Sequence, residues 1–192
     1  MVEDEEGRRS ARTCRVEELQ PGVNWGRSFS LARLKGLSPD QKSVLLKLLH
    51  ELLPTGERVA RLARPQLNMS PACSQYRTVP VDTLLHAIME CPANEAAAML
   101  MLRCTKVYAS SLSAASLLLL EVDAQDPFAL PTVVFIATGI ELIWANRLKS
   151  AGTSPAAMRA ELEARAGLLQ QARGRRLREA GAIMANILAI TM

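Results

Sequence analysis

The sequence has few aromatic residues and few residues that form disulfides or bind metals. Its 192 residues include three Phe, two Tyr and two Trp, which make up 4% of the chain. Stacking sites for single-stranded nucleic acid need several aromatic faces in one groove, so this composition argues against them. Four Cys are too few for a disulfide scaffold and favour a reducing compartment or a metal site. We therefore expect an intracellular protein.

The sequence also has no pattern typical of secretion or of a membrane span. It starts with Met1-Val2-Glu3-Asp4-Glu5-Glu6, which is acidic where a signal peptide is basic and then apolar. Its longest uncharged stretches, residues 107–120 and 127–140, are shorter than the roughly 20 apolar residues that cross a bilayer. We expect no contact with a membrane.

The motifs of the common enzyme classes are missing as well. No glycine-rich phosphate loop precedes a helix, and there is no Gly-x-Ser-x-Gly turn for a nucleophilic serine. No acidic pair follows a strand in the way that a polymerase metal site requires. The sequence therefore predicts a protein that is not an enzyme.

Capping signals and leucine spacing predict an all-α fold, a helical bundle. The run Ser38-Pro39-Asp40-Gln41 combines an N-cap serine, a first-turn proline and a capping-box glutamine, so a helix should extend from there to about Leu53. Pro54 ends it, and Thr55 caps a second helix. Similar patterns predict further helices over 84–90, 94–107, 114–122, 132–148 and 155–192.

Composition divides the chain into three parts. Residues 1–30 mix acidic and basic groups with little apolar periodicity, so they are expected to form a flexible lead-in. Residues 31–107 form the first helical domain, and residues 108–192 form a helical C-terminal region that ends in a long helix. Gly167, Gly174 and Gly181 should weaken or break that last helix.

One group of residues has the ligand types of a metal site. Cys73, His86 and Cys91 follow the spacing Cys73-x2-Tyr76-x9-His86-x4-Cys91, which predicts a zinc-knuckle-like loop near residues 70–92, with Cys73 in a proline-rich loop over 65–80. Thiolate and imidazole ligands are typical of structural zinc, which takes four protein groups in a tetrahedron. A complete site would need a ligand where Tyr76 stands. On the three residues alone, the alternative stays open that the cysteines are ordinary buried thiols and His86 a hydrogen-bonded helix residue.

Four segments resemble a known family: Ser38–His50, Leu53–Leu62, Ser70–Cys73 and Leu85–Pro92. They are similar to the zinc-binding domain that follows the polymerase domain in reverse transcriptases of LINE-like, non-LTR retrotransposons, and the similarity covers roughly Leu31 to Cys104. In that family the metal site is Cys-x2-Cys followed by His-x4-Cys. The resemblance implies a zinc-knuckle-like loop with Cys73, His86 and Cys91 as ligands. It also implies that the polymerase active site lies upstream of this sequence.

Tyr76 departs from the family pattern, because it occupies the place of the second cysteine. Phenol, with a pKa of about 10, is a poor zinc ligand at neutral pH. An intact site of this type contributes about 10–16 kcal/mol to folding. The resemblance therefore implies a degenerate copy in which zinc binding is weakened or lost and the leucine-rich core stabilises the chain.

A basic cluster near the C-terminus indicates a partner. Arg173, Arg175, Arg176 and Arg178 have no acidic residue between them, and the chain carries a net charge of +4 with a pI of about 9.1. Such a cluster predicts salt-sensitive binding of RNA or DNA phosphates without sequence preference. The alternative is a solvated helix face whose charge is balanced by nearby glutamates.

Three hypotheses about function follow. The first is a non-catalytic fragment of a retrotransposon reverse transcriptase that associates with zinc and nucleic acid. The second is a helical protein-interaction module without metal, and the third is a nonfunctional relic. The second requires self-association or partner binding through an apolar seam formed by Leu162, Leu169, Leu177, Met184 and Ile187.

Overall fold

The computed structural model describes residues 23–50, 52–63, 67, 70–76, 78, 81–107, 113, 116 and 118–191. Over these residues the protein consists of helices and connecting loops, with no β-strand, so the predicted all-α fold is confirmed. The helices are α1 (Trp25–Leu31), α2 (Pro39–Leu49), α3 (Gly56–Leu62), a π-helical turn (His86–Glu90), α4 (Glu95–Lys106), α5 (Ala129–Leu148), α6 (Pro155–Gln170) and α7 (Arg175–Ile190).

The predicted flexible lead-in is wrong for its last residues. Helix α1 begins inside it, and the Asn24 side chain caps this helix by accepting a hydrogen bond from Arg27 N. Leu31 is buried, and the Ser28 hydroxyl donates to Leu119 O at 2.6 Å. Burial and capping thus order a segment whose composition gave little helical signal. Residues 1–22 lie outside the described part.

The two predicted caps in the first half are confirmed. Ser38 and Gln41 form the capping box of α2, and the Thr55 side chain accepts from Arg58 N at the start of α3. Helix α2 ends at Leu49, before the predicted end near Leu53. Proline disfavours helical backbone in the residue before it, which is Leu53 here, so the chain leaves the helix earlier.

Helices are also observed near the predicted ranges 84–90, 94–107 and 132–148, although the first of them is a π-helical turn. Of the predicted helix over 114–122, residues 114, 115 and 117 lie outside the described part. Residues 116 and 118 are helical, whereas 119–120 form a turn and 121–122 have no regular structure. Within the described chain, only α5 is long and apolar enough to cross a membrane. In its most apolar stretch 78% of the residues are buried inside the protein, which is typical of a core helix.

The predicted C-terminal helix is in fact two antiparallel helices, α6 and α7, joined by residues 171–174. Gly174 caps the start of α7, so one of the three glycines does break the helix. Four side chains of the predicted apolar seam are buried, namely Leu162, Leu169, Met184 and Ile187, and Leu177 is half-buried. Because the hairpin and the core already use this seam, it is not available to a partner helix in this fold.

A single core joins the two predicted helical regions. Helix α5 packs against α2, α4 and α6, so elements on both sides of residue 107 share their buried faces. The α1–α2 turn also contacts the C-terminal hairpin at Gly36, whose φ of +107° favours glycine. A Cβ there would lie 2.8 Å from the Leu177 side chain. The predicted boundary at residue 107 does not separate two cores.

Candidate metal centre

Cys73 lies on the loop of residues 70–76, which is held in place by Asp82. The N–H of Asp82 donates to Pro71 O at 2.8 Å, and its carboxylate accepts from Gly56 N at 2.7 Å. A Cβ on Gly56 would lie 2.6 Å from the carbonyl oxygens of Pro71 and Ala72. Only glycine therefore lets the start of α3 approach this loop so closely.

The π-helical turn positions the other two predicted ligands. The Thr83 hydroxyl accepts from His86 N at 3.1 Å and caps the turn. At its other end Cys91 N donates to His86 O at 2.8 Å, an i→i+5 bond that widens the turn. Pro92 then prevents the helix from continuing. His86 and Cys91 are thus the two ends of one hydrogen-bonded turn.

The structure brings Cys73, His86 and Cys91 together as a buried group that could hold a metal ion. Their ligand atoms all lie within 4.8 Å of one another, and the two sulfur atoms are 3.8 Å apart. The thiols are free, not joined by a disulfide. Sequence spacing therefore identified three residues that the fold places at one point.

His86 is not the hydrogen-bonded helix residue of the alternative interpretation. Its side chain is only 6% exposed, and Nε2 is buried without a hydrogen-bond partner in the described structure. A buried polar atom left without a partner costs about 1–3 kcal/mol. A metal ion would give this nitrogen a partner.

The two sulfur atoms differ in their surroundings. Burial raises the pKa of the Cys91 thiol; the N–H of Ala93 opposes this effect and the nearby Cys73 adds to it. The Cys73 sulfur accepts from Tyr76 N at 3.3 Å and from the Arg147 guanidinium at 3.7 and 3.9 Å. The Cys73 sulfur is thus surrounded by hydrogen-bond donors, whereas the Cys91 sulfur is mainly affected by burial.

A buried ion pair lies beside the cysteines. Arg147, in the last turn of α5, pairs with Asp82, and its guanidinium lies 5.9 Å from the ring centroid of Trp144. Both side chains of the pair are almost completely buried, and Asp82 Oδ1 has no partner in the described part of the chain. Neither residue was predicted from the sequence as part of a site. The available signal was an arginine near the end of a largely apolar helix.

Two further side chains near the sulfurs were not recognised from the sequence as part of the site. Gln75 Oε1 accepts from Asn94 Nδ2 at 3.2 Å and from Arg147 Nη1 at 3.3 Å. Asn94, at the start of α4, makes no side-chain cap bond. It is completely buried and also contacts Ala87 O and Thr153 N. These contacts connect the cysteine loop, residues 70–76, to the π-helical turn and to the α5–α6 connection.

Three other side chains with possible ligand atoms lie outside this group: Tyr76, His50 and Cys104. Tyr76 is 45% exposed, and its backbone N–H, not its phenol, contacts the Cys73 sulfur. His50 is exposed and its ring lies 4.8 Å from that of Phe29. Cys104 is a buried core residue near Thr191. Cys14 lies outside the described residues.

The predicted nucleic-acid residues are all exposed, at the α6–α7 turn and in the first turn of α7: Arg173, Arg175, Arg176 and Arg178. Two of them already have local partners. Arg175 pairs with Glu179 at 2.7 Å, and Arg178 donates to the carbonyl oxygens of Ala172 and Arg173. Binding of RNA or DNA by this cluster stays a prediction from composition and charge.

Comparisons of the chain with protein-family models, with curated proteins and with solved structures gave no match. The resemblance to reverse transcriptase zinc-binding domains therefore rests only on the sequence segments that carry it. The physical evidence about function comes from the buried group of Cys73, His86 and Cys91.

Proposed function

We propose that this chain is a non-catalytic module that binds Zn²⁺ through Cys73, His86 and Cys91, and that the ion stabilises the fold. One observation carries the proposal: two thiols and an imidazole from separate segments meet within 4.8 Å in the protein interior. Zinc binds sulfur and nitrogen ligands together, and structural zinc sites are almost always four-coordinate and tetrahedral.

The distance between the sulfur atoms fits this metal. With Zn–S bonds of about 2.3 Å, two sulfurs of a tetrahedral site lie about 3.8 Å apart. The Cys73 and Cys91 sulfurs are 3.8 Å apart. The third donor is the His86 imidazole, and its Nε2 has no hydrogen-bond partner in the described structure.

The charges of the site also favour a divalent ion. Two thiolates neutralise Zn²⁺, and Arg147 and Asp82 neutralise each other. Buried charges are stable only when they are compensated. Metal, ligands and ion pair together carry no net charge, so no buried charge is left over.

A bound ion would connect segments that are far apart in sequence. Cys73 belongs to a loop without regular structure, whereas His86 and Cys91 belong to a turn that packs against α4 and α5. Because the fold brings these ligands together, the free energy of binding the ion adds to the stability of the folded chain. With three cysteine and histidine ligands we expect a smaller contribution than the about 10–16 kcal/mol of a complete site.

We further propose that the module descends from a retrotransposon reverse transcriptase, as the resemblance implies. Its support is the order of the segments: a capped helix, a second capped helix, a loop with Cys73, and a turn with His86 and Cys91. In that proposal the site is what remains of a four-ligand site, with Tyr76 in place of one cysteine.

Zinc content tests the metal proposal. The reduced full-length protein is loaded with Zn²⁺, dialysed, and analysed for metal beside Cys73→Ser, His86→Gln and Cys91→Ser. Cys104→Ser is the matched control, because Cys104 is equally buried but lies outside the group. We expect about one zinc per chain in the parent and the control, and at least a tenfold loss of affinity in each ligand variant.

Two results would contradict the proposal. One is a parent protein that retains no zinc after dialysis. The other is zinc retention that is unchanged in Cys73→Ser and Cys91→Ser, since the ion would then bind elsewhere. Circular dichroism of the metal-free variants checks that they remain folded.

A further inference from the structure

Gln75 lies beside the group of Cys73, His86 and Cys91 and directs an oxygen atom toward it. Its Oε1 is 3.8 Å from the Cys91 sulfur, at the distance of a hydrogen bond donated by the Cys91 thiol. Two nitrogen donors also hold this oxygen in place, Asn94 Nδ2 at 3.2 Å and Arg147 Nη1 at 3.3 Å. The amide nitrogen of Gln75 donates in the opposite direction, to Ala151 O. Both ends of the carboxamide are therefore fixed, with the oxygen at the sulfur side.

The distance of this oxygen from the sulfur fits a shared metal ion. In a tetrahedral zinc site with Zn–S of about 2.3 Å and Zn–O of about 2.0–2.2 Å, sulfur and oxygen lie about 3.6 Å apart. The observed separation of Gln75 Oε1 and Cys91 Sγ is 3.8 Å. A small shift of a half-buried side chain would close this difference.

The charge of the site favours a neutral fourth ligand. Zn²⁺ with two thiolates is already neutral, and Arg147 is already paired with Asp82. An anionic fourth ligand would add an uncompensated charge to a buried site, which is costly. A carboxamide oxygen is uncharged and adds none.

Tyr76 occupies the remaining ligand position of the sequence pattern, but it is less suited than Gln75 to bind the metal. Its side chain is 45% exposed, whereas the carboxamide of its neighbour Gln75 bonds to two buried residues, Asn94 and Arg147. The sequence pattern thus identifies the loop but not the side chain.

We infer that Gln75 Oε1 is the fourth donor to the metal ion held by Cys73, His86 and Cys91. This inference rests on the proposed function, since it requires that those three residues bind the ion. Asn94 and Arg147 then act as positioning residues that orient the carboxamide.

Cobalt binding tests this assignment, because Co²⁺ replaces Zn²⁺ in such sites and its visible absorption reports the ligands. Full-length, reduced protein is titrated with Co²⁺ as the parent, Gln75→Leu, Gln75→Glu and the exposed control Gln125→Leu. We expect Gln75→Leu to bind about 10–100-fold more weakly with an altered visible spectrum, and Gln125→Leu to match the parent.

Gln75→Glu separates ligation from a purely structural role. Glutamate keeps an oxygen at this position but loses the N–H that donates to Ala151 O. If the oxygen binds the metal, Gln75→Glu binds Co²⁺ more tightly than Gln75→Leu, because it keeps the donor oxygen although it adds a buried charge, and it shifts the absorption bands. If Gln75 only holds the loop in place, Gln75→Glu and Gln75→Leu both bind Co²⁺ more weakly than the parent, and to the same extent. Their absorption bands are then unchanged, and the assignment is overturned.

The remaining outcomes are also decisive. If the parent and Gln75→Leu bind Co²⁺ with equal affinity and equal spectra, the role of Gln75 is overturned, but the proposed metal site is not. A parent that binds no Co²⁺ overturns the proposed metal site and the role of Gln75 with it. Circular dichroism of the metal-free proteins shows whether the variants keep the parental helix content.

Discussion

Arg147 places a positive charge in the protein interior, at the end of helix α5 and beside the Cys73 sulfur. Its partner Asp82 is equally buried, and one carboxylate oxygen of Asp82 already lacks a partner in the described structure. Removing one member of a buried pair leaves the other charge uncompensated, which costs about 3–5 kcal/mol. We therefore predict that Arg147→Met lowers the free energy of unfolding by about that amount, measured by urea denaturation of the metal-free protein.

An exposed arginine provides the matched control. Arg175 pairs with Glu179 on the surface of α7, where 87% of the Arg175 side chain is exposed. Solvent screens such pairs, so Arg175→Met should leave the denaturation midpoint unchanged. Equal effects of the two substitutions would show that the buried pair has no special role.

At the residue scale, the sequence predicted the group of Cys73, His86 and Cys91 but not its surroundings. Cys73, His86 and Cys91 could be found because ligand type and spacing are visible along the chain. Gln75 and Arg147 are 72 residues apart and Arg147 and Asp82 are 65 apart, so their contacts depend on how the helices pack. No local pattern contains that information.

At the scale of helices, start signals were more informative than stop signals. Ser38 and Thr55 cap the helices as predicted, because a capping side chain bonds to backbone only three residues away. The end of α2 was misplaced, and the break between α6 and α7 was predicted only as one of three glycine positions. Both depend on tertiary packing, which decides where the chain can turn back to cover an apolar face.

Two glycines that look alike in the sequence should respond oppositely to alanine. Gly167 in α6 has open space where a Cβ would lie. At Gly181 in α7 a Cβ would be 2.6 Å from Gln170 N and 2.7 Å from Ala166 O, which are backbone atoms of the facing helix. Alanine is about 0.5–1 kcal/mol better than glycine inside a helix when space allows.

We therefore predict that Gly167→Ala raises the free energy of unfolding by about 0.5–1 kcal/mol. Gly181→Ala should lower it by about 1–3 kcal/mol, because α6 and α7 must move apart. Thermal and chemical denaturation of both variants measure these changes. A stabilising effect of Gly181→Ala would show that the two helices pack less closely than described.

At the scale of the whole molecule, the candidate metal site lies where segments from both halves of the chain meet. The α3 start, the cysteine loop, the π-helical turn and the end of α5 are connected through Asp82, Asn94 and Arg147. The predicted boundary near residue 107 followed composition, whereas the core and these polar contacts cross it. A metal ion at this point would stabilise the arrangement of both halves.

X-ray absorption at the zinc edge of the loaded, full-length protein tests the metal site most directly, because it counts sulfur ligands. The account predicts two sulfur atoms at about 2.3 Å and two nitrogen or oxygen atoms at about 2.0–2.2 Å, one of them from an imidazole. A spectrum with only nitrogen and oxygen neighbours, or a protein that retains no zinc to measure, would contradict it.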